Sequence, residues 1–264
     1  MVFFLQKILF FAYSQERVFF VGHVNILGEI MFSEELRTQA APIMTAIHDH
    51  AFVRGIADGY VPREALIFYV EQDFQYLSEF IKIYANAITK LTDRNEMKFF
   101  ADSIDFILNS EIHPHHVFCD VAGVEYETLQ HATPTPKAYL YESHMYRAAD
   151  TGSLLNILAA FQACPWTYNE IAKKQVQEKA NTNDNPFKSW IDFYDNTDDD
   201  PEVSLSDKIF EWIDRLAENA TTQQRQQATQ FFLKSCELEW QFWEQAYHQE
   251  DWRFKDVLNQ ANSL

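Results

Sequence analysis

Six glycines and eight prolines among 264 residues leave this chain little from which to build the tight turns of a strand-rich fold. Its apolar residues recur instead three and four apart, as in Leu154, Ile157, Leu158, Phe161, Tyr168 and Ile171, which is the period of one helix face. From Met31 onward the same pattern repeats. Ser33, Glu34 and Glu35 mark a helix start, and that helix runs through Ile47 towards His50. A loop from Gly55 to Val61 leads to Pro62, the first residue of a long helix to about Lys90. Asp93 and Glu96 open a third helix, which Pro114 interrupts and Gly123 ends. Further helices are expected over Ala138 to Ala149, around Cys164, around Trp190 to Tyr194, over Val203 to Asn219, and from Thr221 to Tyr247. Asp198 to Asp200 reads as a solvated loop. From Met31 on, no repeat and no break in composition suggests a second domain, so one all-α bundle is the expected architecture.

The stretch Ser153 to Ile171 holds the first irregularity. Pro165 follows Cys164 inside the helical pattern, and a proline there gives no N–H and crowds the carbonyl four residues back, at Phe161. A kink or loosening beside the cysteine is expected, at a cost of roughly 3 kcal/mol. Tyr168, four residues on, shares the face of Cys164. A buried, inert cysteine in a core helix satisfies this stretch as well as a reactive one does.

Two carboxylates intrude on otherwise apolar faces. Asp73 interrupts the stripe Leu66, Tyr69, Val70, Tyr76, Leu77, Phe80, and Glu239 interrupts the stripe Phe231, Phe232, Ser235, Phe242. A buried carboxylate has to be paired, protonated or useful. With Cys164 they form a nucleophile and two acid–base groups on inward faces of three helices. Tyr76, Tyr141, Tyr168, Tyr194 and Phe242 supply aromatic walls and hydroxyls, which suit a pocket for a flat, nitrogen-rich ring as readily as a plain core.

Charge narrows the partners. The net charge of −18 repels phosphate backbones, so nucleic acid is not an expected partner. Three cysteines, Cys119, Cys164 and Cys236, without framework spacing fit a reducing, cytoplasmic setting. Residues 1–30 differ from the rest of the chain. The apolar runs of Val2 to Phe20 are too short and interrupted to span a bilayer, and a basic region ahead of a signal core is missing. The expected reading is an extension over 1–30, or an over-called start with initiation at Met31, ahead of a domain over 31–264.

Five strings carry a resemblance: VEQDFQYL (Val70 to Leu77), AYLYESHMYR (Ala138 to Arg147), ACPWTYNEI (Ala163 to Ile171), SWIDFY (Ser189 to Tyr194) and ELEWQFWEQAY (Glu237 to Tyr247). In that order they resemble the TenA family, thiaminase II or aminopyrimidine aminohydrolase, over roughly Met31 to Trp252. The resemblance implies a single-domain, haem-oxygenase-like all-α fold without haem or other cofactor, usually a homotetramer. It implies Cys164 as nucleophile and Glu239 as acid–base residue beside a pyrimidine ring, with Asp73 on the amidine edge of that ring. Tyr141, Tyr168 and Tyr194 would orient groups near the cysteine, and Tyr76 and Phe242 would pack on the substrate, an aminopyrimidine or thiamin. Cys164 places the chain in the branch that has this cysteine. A thiol with an ordinary pKa near 8.5 needs help to ionise, and no Lys, Arg or His lies within a helical turn of Cys164.

Two other classes remain open on sequence. Glu111/His115 and Glu244/His248 are carboxylate–histidine pairs at i,i+4 that could face one metal in an oxidase, although the site as read from the resemblance holds no metal. A non-catalytic ligand-binding regulator is the other.

Overall fold

The computed structural model describes residues 30–110, 112–195 and 204–261. The expectations for residues 1–29, Glu111 and Asp198 to Asp200 lie outside them. Among the described residues there is no β-strand; the chain is eleven α-helices and one 3₁₀ turn, Tyr126–Leu129. The helices are α1 (Phe32–His48), α2 (Ala51–Asp58), α3 (Arg63–Ile88), α4 (Arg94–Asn109), α5 (Ile112–Ala122) and α6 (Pro136–Asp150). They continue as α7 (Leu154–Gln177), α8 (Lys188–Asp195), α9 (Leu205–Glu218), α10 (Thr222–His248) and α11 (Lys255–Ala261). None is long and apolar enough to cross a membrane.

The all-α reading holds, and three local expectations change. Gly55 sits inside α2 rather than opening a loop, and the turn comes at Gly59, whose φ of 79° is the left-handed C-cap. A β-carbon on Gly55 would stand 2.4 Å from the Tyr60 carbonyl oxygen, so this glycine serves a close backbone approach. The break between α4 and α5 falls before Pro114, which occupies the first turn of α5, where its missing N–H would lack a partner anyway. Ser33 does not start α1, whose N-cap is Met31. It ties α1 to α9 instead: its N–H and hydroxyl donate to the two Asp214 carboxylate oxygens, both at 2.7 Å. The last long helix begins as read, with Thr221 and Gln224 forming a capping box.

Helix α7 is central: it packs on α10, α9, α8 and α6, while α3 lies against α4, α5, α6 and α10. It runs unbroken through Pro165. Side chains on both sides of the proline pin it. Ser235 of α10 donates to the Ala160 carbonyl at 2.6 Å, and Gln162 donates to the Ser206 carbonyl at 2.8 Å. Beyond the proline, Asn169 donates to the Tyr194 carbonyl at 2.9 Å and Gln175 to the Val53 carbonyl at 3.0 Å.

The start of α6 is held by tertiary contacts instead of its own cap. Thr135 N–H donates to Gln72 Oε1 at 2.8 Å, and Gln245 Oε1 accepts from the Thr135 hydroxyl at 2.8 Å and from Ala138 N–H at 3.2 Å. Glutamines of α3 and α10 thereby set the register of α6 against both helices. That register places Tyr141 opposite Glu239.

Candidate active site

Asp73 of α3, Cys164 and Tyr168 of α7 and Tyr194 of α8 line one cleft enclosing about 790 Å³, part of it open to solvent. Apolar side chains of Leu77, Phe80, Ile107 and Leu205 also line it, with Phe106 and Phe193 stacked 6.0 Å apart. Cys164 is half-buried and forms no disulfide among the described residues. The Tyr168 ring lies 5.0 Å from Tyr194 and 5.2 Å from Trp243.

Glu239, Tyr141, Tyr76 and Phe242 lie in the core behind this cleft. Tyr76 and Tyr141 are within electrostatic range of Cys164. Tyr141 donates to Glu239 Oε1 at 2.7 Å, and Oε2 has no protein partner among the described residues. Burial, with a smaller contribution from the Asp73 charge, pushes the Glu239 carboxyl up to about 8, against the opposing effect of the Tyr141 hydrogen bond. At neutral pH Glu239 therefore carries a proton it can give. Burial also raises Tyr69, Tyr76, Tyr141 and Tyr168 well above the ordinary phenol value. These hydroxyls act around the thiol as neutral donors, not as bases.

The two residues expected to pack on a substrate touch each other. Tyr76 and Phe242 have centroids 5.7 Å apart at 55°. A flat ring between them needs about 7 Å, twice an aromatic contact distance, so the two must part by more than about 1 Å to admit one.

Two site residues were missed in the sequence. Tyr69, one turn before Asp73, hydrogen-bonds through its hydroxyl to that of Tyr168 and stacks on Trp243 at 5.1 Å. Its place on the face of Asp73 and Tyr76 was a usable signal, masked because it fits an apolar stripe. His115 is the second: its Nε2 lies 2.8 Å from Asp73 Oδ2 and its Nδ1 3.2 Å from the Tyr126 hydroxyl. His115 of the first carboxylate–histidine pair thus turns to Asp73, and in the second Glu244 lies between His50 Nε2, at 2.9 Å, and His248, at 3.5 Å. Among the described residues no three His, Cys, Asp or Glu side chains are grouped to hold a metal ion.

A family model described as TENA/THI-4/PQQC family matches residues 37–249. An aminopyrimidine aminohydrolase of Staphylococcus saprophyticus is 30% identical over 233 residues, 88% of this chain and 100% of that protein. A TenA homologue from P. horikoshii OT3 superimposes with a TM-score of 0.72 at 22% identity, covering 83% of this chain and 99% of that one. A protein from Shewanella denitrificans described as having a heme oxygenase-like fold gives a TM-score of 0.57 at 15% identity, covering 81% and 91%.

Proposed function

The chain belongs to the TENA/THI-4/PQQC family, and from that premise we propose that it is an aminopyrimidine aminohydrolase acting in thiamin salvage. It hydrolyses the C–N bond on the methylene arm of 5-aminomethyl-4-amino-2-methylpyrimidine, and the corresponding bond of thiamin, through a Cys164 adduct. The observation that carries the reading is the buried Glu239, held at 2.7 Å by the hydroxyl of Tyr141, which is itself within electrostatic range of Cys164.

In the first step the Cys164 thiolate bonds a ring carbon while Glu239 gives its proton to a ring nitrogen. The arm then loses its leaving group with the C–N electron pair, as neutral amine from an ammonium or neutral thiazole from a thiazolium. Water adds to the methylene left behind, and its proton passes to the Glu239 carboxylate. Breaking the S–C bond, with its electrons returning to sulfur and the ring N–H proton released to the departed amine or to water, restores the ring and the thiolate, so one high barrier becomes two lower ones. Asp73 meets the amidine edge, Tyr168 and Tyr194 position the ring at the sulfur, and Tyr76 and Phe242 part to grip it.

In this reading the catalytic domain spans 31–264 and works in a cytoplasmic homotetramer without a cofactor. Exposed apolar side chains such as Tyr139, Leu140 and Val257 offer contact surface for that assembly, which sedimentation velocity would test. Parallel incubations with the aminomethylpyrimidine and with thiamin, products identified by mass spectrometry, test the activity. Absence of the hydroxymethylpyrimidine from both would overturn it.

A further inference from the structure

Asp73 owes its state to a residue outside the cleft. Its Oδ2 meets His115 Nε2 at 2.8 Å, and His115, 1% exposed, is the only hydrogen-bond partner of Asp73 among the described residues. Oδ1 is left for the cleft that Asp73 lines. Behind the imidazole, the Tyr126 hydroxyl lies 3.2 Å from Nδ1. Burial first, then the Asp73 charge, pushes the Tyr126 phenol up to about 12, so it keeps its proton and can donate it to Nδ1. The imidazole proton then sits on Nε2 and is given to Asp73. The other titratable groups that Asp73 influences, Tyr69, Tyr168 and Glu239, are all acids. Nothing but His115 holds this carboxylate as an acceptor among the described residues.

We propose that His115 is a positioning residue that determines specificity: it holds Asp73 so that the oxygen facing the cleft can only accept, and the site takes 4-aminopyrimidines while refusing 4-oxopyrimidines. The inference rests on the reading of Asp73 as the group that meets the pyrimidine edge. A 4-amino group gives that oxygen an N–H. A 4-oxo ring sets a carbonyl there and carries its N–H on N3 instead, so in the same pose two acceptors meet in a buried place, and sites built to pair one polar group reject its opposite strongly. Without the imidazole, Oδ2 loses its donor, and nothing among the described residues holds the carboxyl in place with an acceptor towards the cleft.

The test compares dissociation constants of 4-amino-5-hydroxymethyl-2-methylpyrimidine and its 4-oxo analogue, by calorimetry, for the full chain. The wild type is expected to prefer the amino ring by on the order of 10²-fold or more. His115→Leu should lower that preference by roughly 10-fold or more, the worth of a hydrogen bond to a charged group. His115→Gln, whose amide N–H can reach Asp73, should restore most of it. Tyr126→Phe keeps the imidazole but frees Nδ1 to take the proton; the preference should fall by less, and this variant carries the test if His115→Leu does not fold. A wild type that binds the amino ring, with a preference indifferent to His115→Leu or to Tyr126→Phe, overturns the inference alone. A wild type that binds neither ring overturns the reading of the site and this inference with it.

Discussion

Replacing Glu239 by Gln is expected to make this protein more stable and less active at once. The folded carboxyl titrates at about 8 and the ordinary one at 4.5, so between those values the folded chain keeps a proton that the unfolded chain releases. More protons bound in the native state means that stability falls as pH rises, by up to about 1.4 kcal/mol per pH unit. The deficit is absent below pH 4.5, complete above about 8, and about 3 kcal/mol at pH 7. Glutamine keeps the shape and an oxygen for Tyr141, and it has no charge to bury. Urea unfolding at a series of pH values should show the variant gaining on the wild type from about 1 kcal/mol at pH 5 to about 3 kcal/mol at pH 7. Over the same range kcat/KM should drop ~10²–10⁴-fold, since the proton donor is gone. Parallel stability–pH curves would refute the burial argument, and unchanged turnover would refute the acid role.

Four further outcomes are expected. Cys164→Ala should cost about 1 kcal/mol of stability, as a small core truncation, and cut turnover by at least ~10³; Cys164→Ser should not rescue it, and near-normal rates in either variant would end the covalent mechanism. Asp73→Asn should weaken aminopyrimidine binding, measured by calorimetry, more than it lowers the melting temperature, because an acceptor-only group becomes half donor. Tyr141→Phe removes the hydrogen bond that holds the Glu239 carboxyl down, so the alkaline limb that Glu239 is expected to give the pH–rate profile should move upward from its wild-type position. Gly55→Ala should destabilise by roughly 1–3 kcal/mol in urea unfolding although alanine favours helices, because its β-carbon meets the Tyr60 carbonyl.

The long helices were legible because each pairs an unbroken 3.6 period with a chemical boundary, as at Thr221 and Gln224 for α10. Asp73 and Glu239 stood out for the same reason: a carboxylate in an apolar stripe is visible without any structure. Helix α2 was not, since a glycine kept for a close approach to a carbonyl looks like a glycine kept for a turn. The partner of Asp73 was beyond reach too. His115 lies 42 positions away, and its own i,i+4 neighbour, Glu111, offered a nearer explanation. Local spacing can nominate a pair; only the packing of α5 on α3 chooses between pairs.

Pro165 has one more consequence. The Phe161 carbonyl receives no ladder hydrogen bond from it, and this missing rung falls beside Cys164. The turns before it are clamped to α9 and α10 through Gln162 and Ser235, those after it to α8 and α2 through Asn169 and Gln175. The helix is therefore two braced segments meeting at a weak joint, and relative movement of their surroundings is taken up there. In the proposed mechanism Cys164 forms a bond to carbon and later releases it, so it has to advance and withdraw. Mounted at that joint, the sulfur can do so while the aromatic walls on either side stay where their own helices hold them.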